Sequence, residues 1–179
     1  MEFIEFRKIS RLSRDIVITE KIDGTNGLIA ISEDGKFQVG SRSRWITPGK
    51  STDNSGFASW AYEHKDELLE LGAGYHYGEW WGQGIQRGYG LSEKRFSLFN
   101  IHRWGDESAR PKCCHVVPTL YMGMFDTNTI NSVLLQLSEQ GSVAASGFPR
   151  PEGIVIFHTA SGHLYKKTIE NDEKPKGIN

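Results

Sequence analysis

IVITEKIDGTNGLIAIS, residues 16–32, is the stretch from which the rest of the chain is best read. Two runs rich in β-branched residues, IVITEKI at 16–22 and GLIAIS at 27–32, flank DGTN, whose Asp, Gly and Asn favour a turn. A third run, KFQVGS at 36–41, follows the turn signal EDG. The first third therefore predicts a meander of short strands. Lys21 stands at the end of the first of them, within EKIDGTNG. Two readings of that lysine are open from these residues alone: a solvated side chain beside a hairpin turn, or an amine presented at a strand end for chemistry.

Further along, residues 57–71 put Phe57, Trp60, Ala61, Leu68 and Leu71 on one helical face and Glu63, Lys65, Asp66, Glu67 and Glu70 elsewhere, the pattern of an amphipathic helix covering a sheet. Strands are expected at 75–81, 95–101, 115–121, 153–158 and 163–169. A second helix fits 128–140, with Asp126 or Thr127 as cap and Gly141 as stop. Strand runs interrupted by isolated helices favour a largely antiparallel α+β domain over a doubly wound sheet. No repeat, low-complexity tract or linker divides the chain, so one domain spanning 1–179 is expected. The polar tail from Asn171 to Asn179 is expected to fray.

With 179 residues, 37% of them hydrophobic, the chain can bury one substantial core. No apolar run reaches the roughly 18 residues needed to span a bilayer, and the first residues lack a secretory signal, so a soluble cytoplasmic protein without a membrane partner is expected. Cys113 and Cys114 are adjacent, which makes a bridge between them strained and points to two reduced thiols. A net charge of −1 lacks the basic excess of a general nucleic-acid binder. Arg7, Lys8, Arg11 and Arg14, then Arg42 and Arg44, then Lys94 and Arg95, form local basic groups; they make either a basic face or scattered surface charge.

KIDG at 21–24 resembles the KxDG nucleophile motif of the covalent nucleotidyltransferases, the family of ATP-dependent DNA and RNA ligases and mRNA capping enzymes. The extension through Thr25 and Asn26 is most similar to the RNA ligases that seal nicks in duplexes. Other segments resemble the family's remaining motifs in order: SRSR at 41–44, YGEWWG at 77–82, FSLFNIHRW at 96–104, EGIVI at 152–156 and LYKKT at 164–168. The resemblance runs from about Glu20 to Thr168. It implies an ATP-grasp-like nucleotidyltransferase fold of mostly antiparallel sheets with flanking helices, ATP as co-substrate, Mg²⁺ or Mn²⁺, and RNA ends or a nicked duplex as partner. It also implies roles. Lys21 carries AMP as lysyl-AMP; Arg42 and Lys166 serve the phosphates, with Lys167 beside them; Glu152 serves a metal and the reaction centre. Glu20 accepts the adenine amino hydrogen, Asn26 and Glu79 bond the ribose, and Phe99 stacks on the base. Ile154 or Ile156 closes the base's other side, and Ile22 of KIDG lies against the nucleotide.

The residue types suit that chemistry. A lysine amine attacks phosphorus only when neutral, and with a reference pKa of about 10.4 it is almost wholly protonated near neutral pH, so cations around it must favour the neutral form. The same cations stabilise charge on the α-phosphate and on departing pyrophosphate. Glu79 and Glu152 stand beside apolar strand residues, where an ionised carboxylate needs partners.

Two departures from the family's pattern stand out. Lys166 and Lys167 are adjacent, whereas the family separates its two lysines by one residue; alternation on a strand points them to opposite faces, which favours Lys166, with Thr168 in place of the second lysine. The OB or helical C-terminal domain of the relatives is not seen, so a minimal catalytic domain is expected, with a protein partner as one source of the missing grip on RNA. Competing readings are a DNA ligase, a GTP-using capping enzyme, or a catalytically impaired module that binds nucleotide or RNA ends. Arg87, Tyr89, Lys94 and Arg95 read either as RNA contacts or as an ordinary surface loop. One of Trp80 and Trp81 is expected in the core, their strand neighbours facing opposite ways.

Overall fold

A computed structural model describes residues 1–173, so the expected fraying of the tail lies, from Lys174 onward, outside the described residues. Among the described residues ten strands form two sheets. The first runs β10 (His163–Thr168), β9 (Gly153–His158), β1 (Asp15–Lys21), β8 (Thr119–Met124), all antiparallel. The second runs β4 (Trp45–Ile46), β3 (Phe37–Gly40), β2 (Thr25–Ile31), β5 (Gly74–Gly82), β6 (Lys94–Leu98), β7 (Cys114–Val116), antiparallel except for the parallel pair β6–β7. The α+β reading with mostly antiparallel sheets is correct.

The meander is not. β1 belongs to the four-stranded sheet, while β2 and β3 form a hairpin in the other, so DGTN is a crossing between sheets instead of a hairpin turn. Gly24 makes the crossing possible: a Cβ there would lie 2.4 Å from the Trp80 carbonyl oxygen and 2.7 Å from Trp81 Cβ. The run 115–121 is likewise two strands in two sheets, β7 and β8, parted at Pro118, which has no N–H to continue a ladder. Both changes of sheet meet, since Glu20 N–H donates to the Pro118 carbonyl at 3.0 Å.

The amphipathic stretch 57–71 buries Phe57, Ala61, Leu68 and Leu71 and half-buries Trp60, but as α1 (Phe57–Glu63), α2 (Lys65–Leu68) and a 3-10 turn at Leu69–Leu71. His64 breaks it: its backbone leaves helical geometry, and its N–H and Nδ1 both lie against the Trp60 carbonyl, at 3.0 and 2.9 Å. Phe57, Ala58, Ala61, Leu68 and Leu71 cover one face of the six-stranded sheet through Ile29, Val39, Trp80, Phe96 and Leu98. The strand expected at 95–101 ends at Leu98, because Asn100 Oδ1 accepts from Arg103 N–H and starts α3 (Ile101–Trp104). α4 (Thr127–Gln140) is capped by Asp126 and stopped by Gly141, as the sequence suggests, and packs Ile130 and Leu137 on Ile16, Ile18, Ile154 and Ile156 of the four-stranded sheet. A third cluster of Ile22, Trp81, Tyr89, Val117 and Ala145 joins segments from both sheets. Trp80 and Trp81 are thus both buried, in different clusters. Cys113 and Cys114 are free thiols. No described helix is long and apolar enough to cross a membrane.

Candidate active site

Lys21 is the last residue of β1, where the chain leaves one sheet for the other, and its Nζ lies 2.7 Å from Glu152 Oε2. Glu152 directly precedes β9, the neighbour of β1, so the register Lys21↔Gly153 sets the ion pair. Gly153 allows β10 to close on that point, because a Cβ there would lie 2.2 Å from the Lys167 carbonyl oxygen.

The second carboxylate comes from the other sheet. Glu79 is opposite Asn26 on β2; its Oε1 accepts from Gly24 N–H at 3.0 Å and its Oε2 from Asn26 Nδ2 at 3.1 Å. Burial pushes its carboxyl up to about 7, a rise that the Lys21 charge and the two hydrogen bonds oppose. Asn26 and Glu79 are thus held together at the Lys21 turn.

Asp23 fixes that turn from the other side. Its N–H donates to Tyr89 Oη at 2.8 Å, and its Oδ2 accepts from Arg87 Nε at 2.9 Å. Arg87 Nη1 also donates to the carbonyls of Arg150 and Pro151, at 2.9 and 3.4 Å. One guanidinium therefore ties the residue two after Lys21 to the two residues before Glu152. The loop that supplies it is held in tension, with Gln86 and Tyr89 at φ of 45° and 52°. Of Arg87, Tyr89, Lys94 and Arg95, which read either as RNA contacts or as an ordinary surface loop, Tyr89 is buried, Lys94 Nζ donates to the Ser55 carbonyl, and Arg95 pairs with Glu93, so each has a partner within the fold. Positive-φ residues in a Gly-rich loop are the signal of a built structure, but sequence alone does not show which side chains it braces.

Three other expectations change. Glu20 is 1% exposed and its carboxylate is already occupied, accepting from Ser142 Oγ at 2.6 Å and from Val143 and Ala144 N–H at 2.8 and 2.9 Å, so it anchors the loop after α4. Ile154 and Ile156 lie in the core beneath α4, on the face away from Lys21; of the apolar residues on the Lys21 face of β9, half-buried Val155 is nearer to Lys21 in register than Phe157. Ile22 packs in the cluster that joins the sheets.

Thr168 is registered with Gly153 and so with Lys21, and Lys166 with Val155, so Lys166 and Thr168 share the Lys21 face; Lys167 is registered with Ile154 and Glu20 on the other. Phe99, just beyond β6, is 41% exposed and not a core residue. Arg42 is exposed in the tight turn from β3 to β4, closed by a hydrogen bond from Ser41 N–H to the Arg44 carbonyl. Among the described residues no group of three or more His, Cys, Asp or Glu side chains is arranged to hold a metal. Both oxygens of Glu79 are taken by Gly24 and Asn26, so the carboxylate at Lys21 that suits a Mg²⁺-type cation, one that keeps its waters and arrives on phosphates, is Glu152.

A sequence model of the RNA ligase family matches residues 14–168. The fold is similar to solved RNA ligases of Naegleria gruberi. A mutant solved without ligand is 18% identical, with a TM-score of 0.65 over 87% of this chain and 50% of that one. A mutant with AMP and Mn is 17% identical, with a TM-score of 0.64 over 88% and 50%. A mutant with ATP and Mn is 19% identical, with a TM-score of 0.65 over 89% and 51%. The chain thus spans about half the length of these structures. No curated protein matches it in sequence.

Proposed function

The chain belongs to the RNA ligase family, and on that footing we propose that it transfers AMP from ATP to Lys21 and then to the 5′-phosphate of an RNA end, for sealing to a 3′-hydroxyl. The observation that carries this reading is the Lys21 amine, held 2.7 Å from Glu152 at the crossing between sheets with Asn26 and Glu79 alongside.

In the first step the Lys21 Nζ lone pair attacks the α-phosphorus, a P–N bond forms, and the P–O bond to pyrophosphate breaks. The nearest acceptor for the proton that Lys21 must lose is Glu152 Oε2. Phe99 offers its exposed ring to adenine, with Val155 as an apolar residue on the Lys21 face, while Asn26 and Glu79 serve the ribose hydroxyls. Arg42 and Lys166 serve the phosphates, Lys166 from the same face as Lys21; Lys167 is the weaker candidate because it lies on the other. A divalent cation brought by the nucleotide would be held by Glu152 and would supply charge neutralisation at the phosphates. AMP then passes to an RNA 5′-phosphate with release of the lysine, and the 3′-hydroxyl displaces AMP.

The sealing step is tested with a nicked RNA duplex carrying a labelled 5′-phosphate, ATP and Mg²⁺. The expected outcome is an adenylylated strand followed by a longer, sealed product. Adenylylated protein with no transfer to RNA or DNA ends would reject the ligase reading for this chain.

A further inference from the structure

The face of the six-stranded sheet that bears Asn26 and Glu79 continues, beyond them, into a field of rings. Trp45 is opposite Gly40, Gly40 opposite Leu28, and Leu28 opposite Tyr77, while Phe99 N–H donates to the Tyr77 carbonyl. Side chains opposite one another on paired strands share a face. One row further out, Tyr75 is opposite Ala30, and Ala30 opposite Gln38. Tyr75, Tyr77 and Trp45 are 68%, 54% and 52% exposed. The other face of the same strands is core.

Single exposed apolar side chains are ordinary, but several aromatic rings on one sheet face are not. The sequence also lays one of them down. Gly40 leaves room for the Trp45 ring, since a Cβ there would come within 3.4 Å of it. Trp45 and Tyr75 flank a shallow cleft of about 120 Å³, floored by Ala30 and Gln38 and rimmed by Lys36. On the far side of Trp45 the turn holds Arg42 and Arg44, both exposed and, among the described residues, in no ion pair. Of the two acids before Lys36, Asp34 is turned into its own loop by a hydrogen bond from Ser32, and Glu33 is exposed.

Flat rings bordered by cations fit a nucleic-acid strand, whose bases stack on π faces and whose phosphates need positive charge. We propose that this aromatic face binds the single-stranded part of an RNA substrate, with bases on Trp45, Tyr75 and Tyr77 and phosphates at Arg44 and Lys36. It deepens the ligase reading, which supplies the reason for a strand to lie beside the Lys21 site. It also accounts for RNA binding by a chain of net charge −1, since stacking carries much of the contact.

The test measures fluorescence anisotropy of a short labelled 5′-phosphorylated single-stranded RNA with the wild type, a Trp45→Ala/Tyr75→Ala double variant and Leu135→Ala, an exposed control on α4. Circular dichroism checks that each is folded. The double variant should bind at least about fivefold more weakly, the low end of one base–aromatic stack, with Leu135→Ala unchanged. The ATP-only labelling of Lys21, in which these rings take no part, should keep its rate. Equal affinity in the double variant, no measurable RNA binding by the wild type, or joint loss of RNA binding and Lys21 labelling would overturn the proposal. RNA binding that depends on the rings in a protein that never labels Lys21 would support it while rejecting the ligase reading.

Discussion

Glu79 is the residue whose ionisation the fold controls most openly. Buried between the sheets, it keeps its proton up to about pH 7, whereas an unfolded carboxyl loses it near 4.5. Between those values the folded chain binds more protons than the unfolded one, so stability falls as pH rises from about 4.5 to 7. Glu79→Gln removes that loss, and urea unfolding without nucleotide should show the variant gaining on the wild type by roughly 2 kcal/mol between pH 5 and pH 8. A gain that is flat with pH would contradict the raised Glu79 carboxyl. Single residues were legible here to the extent that motif spacing marks them: Lys21, Asn26, Glu79 and Glu152 converge on one turn. Glu20 was not, because nothing in TEKIDG tells whether a carboxylate before the lysine turns outward to a ligand or inward to the N–H groups of Val143 and Ala144, more than a hundred residues away.

Among the elements, the loop between β5 and β6 carries the strongest consequence. Through Arg87 it binds the Lys21 turn to the approach of β9, and so fixes both partners of the Lys21–Glu152 contact. Arg87→Ala should slow formation of lysyl-AMP by at least about tenfold, since small misplacement of reacting groups is costly, with little change in the concentration of ATP that half-saturates the reaction. Arg87→Lys, which keeps the charge but loses the fork that reaches Asp23 and both carbonyls, should recover only part of the rate. A change confined to ATP affinity would contradict the brace. Strands and helices themselves were legible from periodicity, as α4 with its Asp126 cap shows. Which sheet each strand joins was not. The alternation in 16–32 is the same whether β1 and β2 are hairpin partners or neighbours across a crossing, and what separates them is pairing with distant strands, β1 with β8 and β9 and β2 with β5, a crossing that the missing Cβ of Gly24 permits.

At the scale of the molecule, two sheets with separate cores meet through Ile22, Trp81, Tyr89, Val117 and Ala145, and the chain crosses between them at Lys21. The crossing joins a cation and carboxylate on one sheet to a carboxylate, an amide and exposed rings on the other. The most direct test of that arrangement is incubation with α-³²P-labelled ATP and Mg²⁺, reading label on the denatured protein for the wild type and Lys21→Ala, both first freed of bound AMP. Label that stays on the wild type, and is lost with Lys21, is the predicted result. A folded, AMP-free wild type that takes up no label, or a Lys21→Ala variant that labels equally, would contradict lysyl-AMP formation at this site.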